Sequence, residues 1–157
     1  MTKNDEFKDE GYANIDDEDN IIFSVRDQRT IISSLRASFI FSSTMSLNLR
    51  TRHYWSRVFV RSFHELQEDG ELLPSNYSGD HNINFNAFNV DLIYSWFFLP
   101  GSEINLVWKN AILQSENQLI YDFRENLDHT FKLPQSNSFS FKAIYYLDYL
   151  YLKKKSS

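Results

Sequence analysis

The chain of 157 residues contains no cysteine, only four glycines and only three prolines. Without cysteine it has neither a disulfide framework nor a thiolate metal site. No apolar run approaches the roughly 18 to 20 residues that a membrane-spanning helix requires. Residues 1–20 have neither the basic stretch nor the apolar stretch of a secretory signal peptide. These absences exclude disulfide-stabilised proteins and helical membrane proteins.

The sequence also lacks the motifs of common catalytic and cofactor-binding sites. It has no Gly-rich phosphate loop and no nucleophile motif of the G-x-S-x-G kind. None of the histidines has a partner at metal-ligand spacing; they are His53, His64, His81 and His129. The net charge of −5 disfavours nucleic acid as a partner, because nucleic-acid-binding proteins present a basic face. We therefore expect no catalytic residue, no metal and no cofactor, and we favour a chain without enzymatic activity of its own.

A regular alternation of apolar and more polar residues is the strongest positive signal. Aromatic residues make up 17% of the chain, and in the C-terminal segment 139–151 an apolar or aromatic residue recurs at every second position. A period of two indicates a β-strand with two unlike faces. The same pattern predicts strands at 31–41, 45–56, 88–98, 104–109 and 139–151, with 21–28 and 57–64 as extensions.

The connections between these strands differ in length in a regular way. Short turns are predicted at 42–44 and 99–102, whereas long polar segments occupy about 64–83 and 114–137. Short turns on one side and long loops on the other are typical of bacterial outer-membrane barrels. The predicted fold class is therefore all-β, an antiparallel up-and-down meander that forms part of a transmembrane outer-membrane β-barrel.

The turn positions also predict which residues face one another. A turn centred near Ser43 places Phe39 opposite Leu47, and a turn centred near Pro100 places Tyr94 opposite Leu106. These pairs join apolar residues, as cross-strand pairing favours. Arg36 then lies opposite Arg50, which is unfavourable for this register.

Two groups of candidate functional residues follow from the alternation. Polar residues predicted to line the barrel lumen are Arg36, Arg50, Arg52, Asp91, Glu103, Lys109, Lys142 and Asp148. Aromatic residues predicted to lie at the membrane–water interfaces, where Trp and Tyr are favoured, are Phe41, Trp55, Trp96, Phe98, Trp108, Tyr149 and Tyr151.

The number of strands is too small for a closed membrane barrel. We predict about five to seven strands, whereas a single-chain barrel needs about eight, and an open sheet would expose unpaired backbone groups to lipid. We therefore expect the chain to be the C-terminal part of a larger barrel, with its N-terminal strands missing. The predicted organisation is an acidic flexible segment or loop at 1–20, a barrel fragment at 21–152 and a short basic tail at 153–157.

Several stretches resemble the C-terminal region of a gram-negative outer-membrane family of unknown function. They are MSLNLRTRHYWSRV (45–58), LQED (66–69), FNAFNVDLIYSWFFLPGSEINLVWKNAI (85–112) and SFSFKAIYYLDYLYLKK (138–154). In that family a family-9-like carbohydrate-binding module precedes a large β-barrel, and some members are labelled membrane-associated hydrolases. The resemblance covers roughly residues 20–154, and the carbohydrate-binding module has no counterpart here, so no sugar-binding residue is carried over.

Three functional hypotheses remain open at this point. The first is a non-catalytic fragment of an outer-membrane β-barrel that binds or passes carbohydrate, in the outer membrane of a gram-negative bacterium. Its expected partners are membrane lipid, the missing part of the same barrel, the barrel-insertion machinery and carbohydrate. The second is the barrel part of a membrane-associated hydrolase whose active site lies in a missing N-terminal region. The third is a soluble ligand-binding barrel of the lipocalin type, with its apolar residues turned inward.

Overall fold

Antiparallel strands account for most of the structure, a computed structural model that describes residues 1–147. The strands in chain order are β1 (Thr2–Ile15), β2 (Ile21–Ser42), β3 (Met45–Leu66), β4 (Leu72–Pro74), β5 (Ile83–Leu99), β6 (Ser102–Glu116) and β7 (Ser136–Ile144). One helix, α1 (Phe123–Lys132), lies between β6 and β7. It is ten residues long, and no helix within residues 1–147 is long and apolar enough to cross a bilayer.

All seven strands belong to one sheet with up-and-down topology. Its order is β1-β2-β3-β5-β6-β7, and the short strand β4 pairs with β3 beside this path. Among the residues described, β1 and β7 form the two edges, so the sheet is open. The prediction of an all-β antiparallel meander with five to seven strands is confirmed. The segments proposed as extensions are part of continuous strands of 22 residues each, β2 and β3.

The N-terminal 20 residues differ from the flexible segment or loop that the sequence analysis predicted. Most of this segment forms β1, which pairs with β2 from Thr2↔Ile32 to Ile15↔Ile21 and contains two bulges. Opposite charges across the two strands favour this pairing, since Arg29 lies 2.7 Å from Asp5 and Arg26 lies 2.9 Å from Asp9. Acidic residues of β1 therefore serve as partners for arginines of β2.

The remaining acidic residues form the tight connection between β1 and β2. The Asp16 carboxylate accepts hydrogen bonds from the backbone N–H groups of Glu18 and Asn20, each at 2.9 Å. These bonds, first among them the one from Asn20, hold the pKa of Asp16 below its ordinary value. The connection is thus a turn closed by its own side chain.

The second difference from prediction is helix α1, which lies in a segment expected to be a long polar loop. Asp122 caps the helix, because its carboxylate accepts hydrogen bonds from the N–H groups of Arg124 at 2.9 Å and Glu125 at 3.0 Å. The buried residues of the helix are both polar, Asn126 and Thr130. A search for apolar periodicity misses a helix of this kind, although Asp122 and Glu125 have the spacing of a capping box.

The C-terminal strand is shifted relative to its prediction. β7 covers Ser136–Ile144, whereas the alternation predicted a strand at 139–151. Three of the candidate residues, Asp148, Tyr149 and Tyr151, lie outside the described residues, as do the end of the predicted barrel region and the predicted basic tail.

The chain divides into two compact units. Unit 1 comprises residues 1–34, 52–88 and 112–135, and unit 2 comprises residues 35–51, 89–111 and 136–157. Both short turns belong to unit 2, and both α1 and the long connection after β3 belong to unit 1. The predicted separation of short turns from long connections is therefore reflected in the two units.

The two units differ in their interiors. Every large hydrophobic residue that is buried in the described part of the chain belongs to unit 1: Ile22, Ile31, Trp55, Ile112 and Ile120. In unit 2 the buried residues are Ser102 and Asn110, and many large apolar side chains are exposed. Unit 1 thus has a small core, whereas the described residues of unit 2 form a sheet without one.

Candidate functional site

A buried polar network in unit 1 joins three strands to helix α1. Its centre consists of three asparagines, Asn84 and Asn86 on β5 and Asn126 on α1, each with 0% of its surface exposed. Buried amides require hydrogen-bond partners, because an unpaired polar group loses its hydration without compensation. The alternation of Asn84 and Asn86 along β5 places both on one face of the strand, where α1 supplies Asn126.

The three amides satisfy one another. Asn86 Nδ2 donates to Asn126 Oδ1 at 3.1 Å, and Asn126 Nδ2 donates back to Asn86 Oδ1 at 2.7 Å. Asn84 Nδ2 donates to Asn126 Oδ1 at 3.4 Å and to Glu116 Oε1 at 3.2 Å. Thr130 adds a further tie within the helix by donating to the Asn126 carbonyl at 2.8 Å. The network therefore fixes α1 on the sheet by directional bonds.

Two residues of β3 complete the network from the other side. Trp55 is 3% exposed and its Nε1–H donates to Asn84 Oδ1 at 2.7 Å. His53 Nε2 lies 3.0 Å from Asn86 Oδ1. Since Asn86 Nδ2 faces Asn126, the oxygen faces His53, and His53 must carry its proton on Nε2.

His53 is held in its neutral form. Its ring packs against the rings of Phe88 and Phe123 at centroid distances of 6.0 and 5.9 Å. Burial lowers the pKa of His53 below its ordinary value of 6.5, and the hydrogen bond to Asn86 opposes this only in part. The buried Nδ1 has no hydrogen-bond partner among residues 1–147, so protonation there would create an unpaired charged donor.

Glu116 lies at the end of the network nearest to solvent. Its Oε1 accepts from Asn84 and is 2.9 Å from His129 Nε2, a distance suited to an ion pair. The same His129 nitrogen is among the buried atoms of the described residues that lack a hydrogen-bond partner, so no hydrogen bond joins it to Glu116. No three metal-ligating side chains of the described residues come together in a metal site.

Arg57 forms a second feature of unit 1, beside Trp55. Its side chain is buried, with 8% of the residue exposed, and its Nη1 donates to the carbonyl of Ile120 at 3.0 Å. The guanidinium carbon lies 4.4 Å from the centre of the Tyr121 ring and 5.4 Å from that of Trp55. Cation–π contacts of this kind offset part of the cost of burying the charge. Burial is the main cause that lowers the pKa of Arg57.

Unit 2 presents an aromatic and aliphatic sheet surface. Trp108 stacks on Phe139 at 6.4 Å, and Phe98 stacks on Tyr145 at 6.3 Å. Leucines beside the Trp108 ring line a shallow depression of about 280 Å³; they are Leu47, Leu92 and Leu106. In water-soluble proteins a second layer of helices or strands covers an apolar sheet surface of this kind. No such layer is present among the described residues of unit 2.

Polar contacts in unit 2 link neighbouring strands. Ser38 donates to Asn48 Oδ1 and Ser95 donates to Asn105 Oδ1, both at 2.7 Å. Each pair joins two residues that the predicted registers place opposite one another. Glu103 and Lys142 form an ion pair at 3.1 Å between β6 and β7. These contacts give the sheet a set of hydrogen-bonded polar positions.

Over residues 1–156 the sequence matches a family described as a domain of unknown function, DUF5916. The chain belongs to this family. The resemblance to a family of unknown function is confirmed, and it extends beyond the predicted residues 20–154. No curated protein and no solved structure gives a significant match. The barrel and the carbohydrate-binding module expected from the resemblance stay predictions.

The predicted lumen residues of this DUF5916 domain differ in burial and in the unit to which they belong. In unit 2, Glu103 pairs with Lys142, as described above, and Asp91 is half-buried. The other described candidates are exposed; they are Arg36, Arg50, Arg52 and Lys109. Arg52 belongs to unit 1, so it lies outside the unit that carries the remaining candidates.

The predicted interface aromatics divide between the units. Phe41 and Trp96 are exposed and Phe98 and Trp108 are half-buried, all four in unit 2. Trp55 differs from its prediction as a membrane-interface residue, because it is buried in unit 1 against Asn84 and Phe123. The sequence analysis placed Trp55 on an exposed strand because it did not foresee the helix that supplies Phe123.

The network asparagines were missed by the sequence analysis. The stretch Ile83–Phe88 reads INFNAF, in which amides occupy two successive positions on one face of a strand. Asparagine is disfavoured in strands, so this repetition is a usable signal for a buried polar contact. The residue that completes it, Asn126, is distant in sequence and shows no pattern of its own.

Proposed function

We propose that this chain is part of an outer-membrane β-barrel of a gram-negative bacterium and is not catalytic in itself. Unit 2 forms the wall within the bilayer in this proposal, and unit 1 lies outside the hydrocarbon region. The observation that carries the proposal is the set of exposed apolar side chains in a unit that buries no large hydrophobic residue. Among the described residues these include Leu35, Phe39, Phe41, Trp96, Leu106, Phe139 and Phe141.

The energetics of this surface favour lipid as its environment. Phe139 is 78% exposed and its neighbour on the strand face, Phe141, is 67% exposed. Contact with water costs roughly 25 cal/mol for each Å² of apolar surface, so several such rings in water would cost many kcal/mol. Aromatic pairs adjoin both short turns of unit 2, Phe39 with Phe41 and Trp96 with Phe98, which suits an interfacial girdle.

The polar positions of unit 2 suit a barrel lumen. Hydroxyl and amide groups bonded across strands, together with the Glu103–Lys142 pair, offer hydrogen bonds to polar solutes. Exposed apolar residues, among them Ile40, Ile93 and Phe97, interrupt this character. A lumen of this kind binds or passes neutral polar molecules, and we propose carbohydrate as the solute class.

The edges of the open sheet define the proposed partners. β1 and β7 each pair with one neighbouring strand within residues 1–147. Unpaired backbone groups are costly in lipid, so β7 requires a further strand of the same barrel. Outer-membrane lipid and the barrel-insertion machinery complete the proposed set of partners.

The two alternative hypotheses have less support. A soluble lipocalin-like barrel requires its apolar face to enclose a cavity, whereas the depression at Leu92 and Leu106 in unit 2 is shallow. The hydrolase hypothesis places its catalytic residues in another region. No nucleophile–base pair that would favour this hypothesis is seen among the described residues.

Single-cysteine labelling tests the proposal cleanly, because the natural chain has no cysteine. Leu92→Cys and Leu106→Cys probe the apolar surface, and Ser95→Cys and Asn105→Cys probe the polar positions. Each full-length variant is spin-labelled in outer-membrane vesicles, and its relaxation by oxygen, which partitions into lipid, is compared with that by a water-soluble nickel chelate. We expect the leucine positions to respond mainly to oxygen and the Ser and Asn positions mainly to nickel.

Leu73→Cys is the matched control, since Leu73 is an exposed leucine of unit 1. It should respond to the nickel chelate like any water-exposed residue. If Leu92→Cys and Leu106→Cys respond to the chelate as strongly as this control does, unit 2 does not face lipid and the proposal is wrong.

A further inference from the structure

The arginines of β2 and β3 in unit 1 differ in how their charge is compensated. Arg26, Arg29 and Arg61 each have a carboxylate partner: Asp9, Asp5 and Asp27 respectively. Arg57 is more deeply buried than these three, yet no carboxylate of the described residues lies within ion-pair distance of it. Among the described residues Arg57, the most buried of these arginines, has no carboxylate partner, and the exposed Arg52 of β3 has none either.

An unpaired buried guanidinium is energetically unfavourable unless other contacts compensate for it. In unit 1 the compensation consists of one carbonyl, that of Ile120, and the rings of Tyr121 and Trp55. The positive charge of Arg29 disfavours the charged form of Arg57 further, whereas Tyr121 and Asp5 act in the opposite direction. A group with this environment gains from a bound anion.

The geometry leaves part of the guanidinium available to such an anion. Arginine has five N–H donors, and one nitrogen of Arg57, Nη1, is used by the protein. Within residues 1–147 the other two nitrogens, Nε and Nη2, donate no hydrogen bond to the protein. Together they form the planar edge that binds a carboxylate or phosphate group through two parallel hydrogen bonds.

Tyr121 forms an accessible wall beside this edge. It is 65% exposed while one face of its ring covers the guanidinium. It immediately precedes the helix cap Asp122.

We propose that Arg57 and Tyr121 form a binding site for an oxyanion, the carboxylate or phosphate group of a small ligand. The site lies entirely in unit 1. It does not depend on whether unit 2 faces lipid, so the labelling experiment above and the experiment below fail independently.

Tryptophan fluorescence of the full-length protein tests the site, because Trp55 lies 5.4 Å from the guanidinium. The protein is titrated with inorganic phosphate and, separately, with acetate, against chloride at the same ionic strength. We expect a saturable change with one or both of the first two anions and none with chloride. A response to phosphate alone identifies a phosphate group as the ligand chemistry, and a response to acetate alone identifies a carboxylate.

Variants separate binding from a structural role. Arg57→Gln should weaken anion binding at least about tenfold, the effect expected for losing a charge-assisted hydrogen-bonded pair. Arg57→Lys keeps the charge without the planar fork and should bind with intermediate affinity. Arg52→Gln makes the same chemical change at an exposed position of β3 and should leave binding unchanged.

Two results would overturn the proposal. One is a wild-type response to phosphate and acetate that does not exceed the response to chloride. The other is unchanged anion binding in Arg57→Lys or Arg57→Gln with the tertiary fold retained by near-ultraviolet circular dichroism. If Arg57→Gln fails to fold, the comparison between Arg57→Lys and Arg52→Gln decides the question.

Discussion

Unit 1 and unit 2 contain parts of the same long strands but differ in whether their large apolar side chains are buried. Unit 1 buries five large hydrophobic residues and a set of hydrogen-bonded amides, and it covers its sheet with α1. Unit 2 buries no large hydrophobic residue among those described and exposes rings such as Phe139. A strand pattern alone therefore does not define the surroundings of a sheet, because α1 covers a face in unit 1 while the described residues of unit 2 leave theirs exposed.

Two tryptophans, one in each unit, show the same difference in burial. Trp55 in unit 1 donates its indole N–H to the fully buried Asn84 at 2.7 Å. Trp108 in unit 2 donates to Asn137 Oδ1 at 3.0 Å and stacks on Phe139. Both indole groups have partners, but only Trp55 lies inside a core, so the two residues should respond differently to a change of solvent.

The largest expected effect comes from breaking the amide network of unit 1. Asn126→Ala removes a partner of both Asn84 and Asn86; Asn84 keeps Glu116 as an acceptor, but the buried Nδ2 of Asn86 is left unpaired. We expect a loss of about 3 kcal/mol in the free energy of unfolding of unit 1, since each unpaired buried group costs about 1 to 3 kcal/mol. Hydrogen exchange of the α1 amides measures this directly.

Asn105→Ala is the matched control in unit 2, where its side chain accepts one bond from Ser95. It should change stability by less than about 1 kcal/mol, because its partner regains water or another polar group. Equal effects of the two substitutions would contradict the view that only unit 1 depends on a buried polar interior.

The next prediction concerns the pH dependence of stability, which we expect to arise from His53. Its pKa in the folded protein lies below its unfolded value of about 6.5, because burial among Phe88 and Phe123 disfavours the charged ring. A lowered histidine pKa means that the unfolded state takes up the proton first. The full stability is therefore present above about pH 6.5 and is lost as the pH falls from there through the folded pKa.

We expect the protection of the α1 amides to fall on acidification between neutral pH and about pH 5 in the wild type. The loss should amount to about 1.4 kcal/mol for every unit by which the folded pKa is lowered. His53→Gln keeps a donor for Asn86 and removes the titrating ring, so its protection should be less dependent on pH. An equal pH dependence in both proteins would assign the effect to other groups.

The sequence predicted most strands of the sheet but not the buried asparagine network of unit 1. Alternation located β2, β3, β5 and β6, and the turns after Ser42 and Leu99, because these features are encoded by neighbouring residues. The polar network depends on Asn126 meeting Asn86, which are 40 residues apart. Its helix buries Asn126 and Thr130 in place of apolar residues, so apolar periodicity carried no signal for it. Long-range polar contacts of this kind become visible only when the elements have been placed.

The same limit explains the error at the N-terminus. The acidic residues of β1 suggested a solvated segment, because their partners Arg26 and Arg29 lie on the following strand. Charge patterns are informative about strands only when the register of the pair is known, and two bulges in β1 shift that register. Local composition therefore predicted a flexible segment where the structure has a strand, because the strand depends on its pairing with β2.

The smallest expected effect compares ion pairs of the two units. Lys142→Gln removes the Glu103–Lys142 pair of unit 2, and Asp9→Asn removes the charge that Arg26 faces in unit 1. Exposed ion pairs contribute about 0 to 1 kcal/mol in water, so Asp9→Asn should change the midpoint of unfolding only slightly and less at high salt. Under the proposal that unit 2 lines a barrel lumen, the Glu103–Lys142 pair is less screened, and Lys142→Gln should have the larger effect, with weaker dependence on salt. Equal effects with equal salt dependence, measured on vesicle-embedded protein, would indicate that both units face bulk water and would weaken the distinction between them.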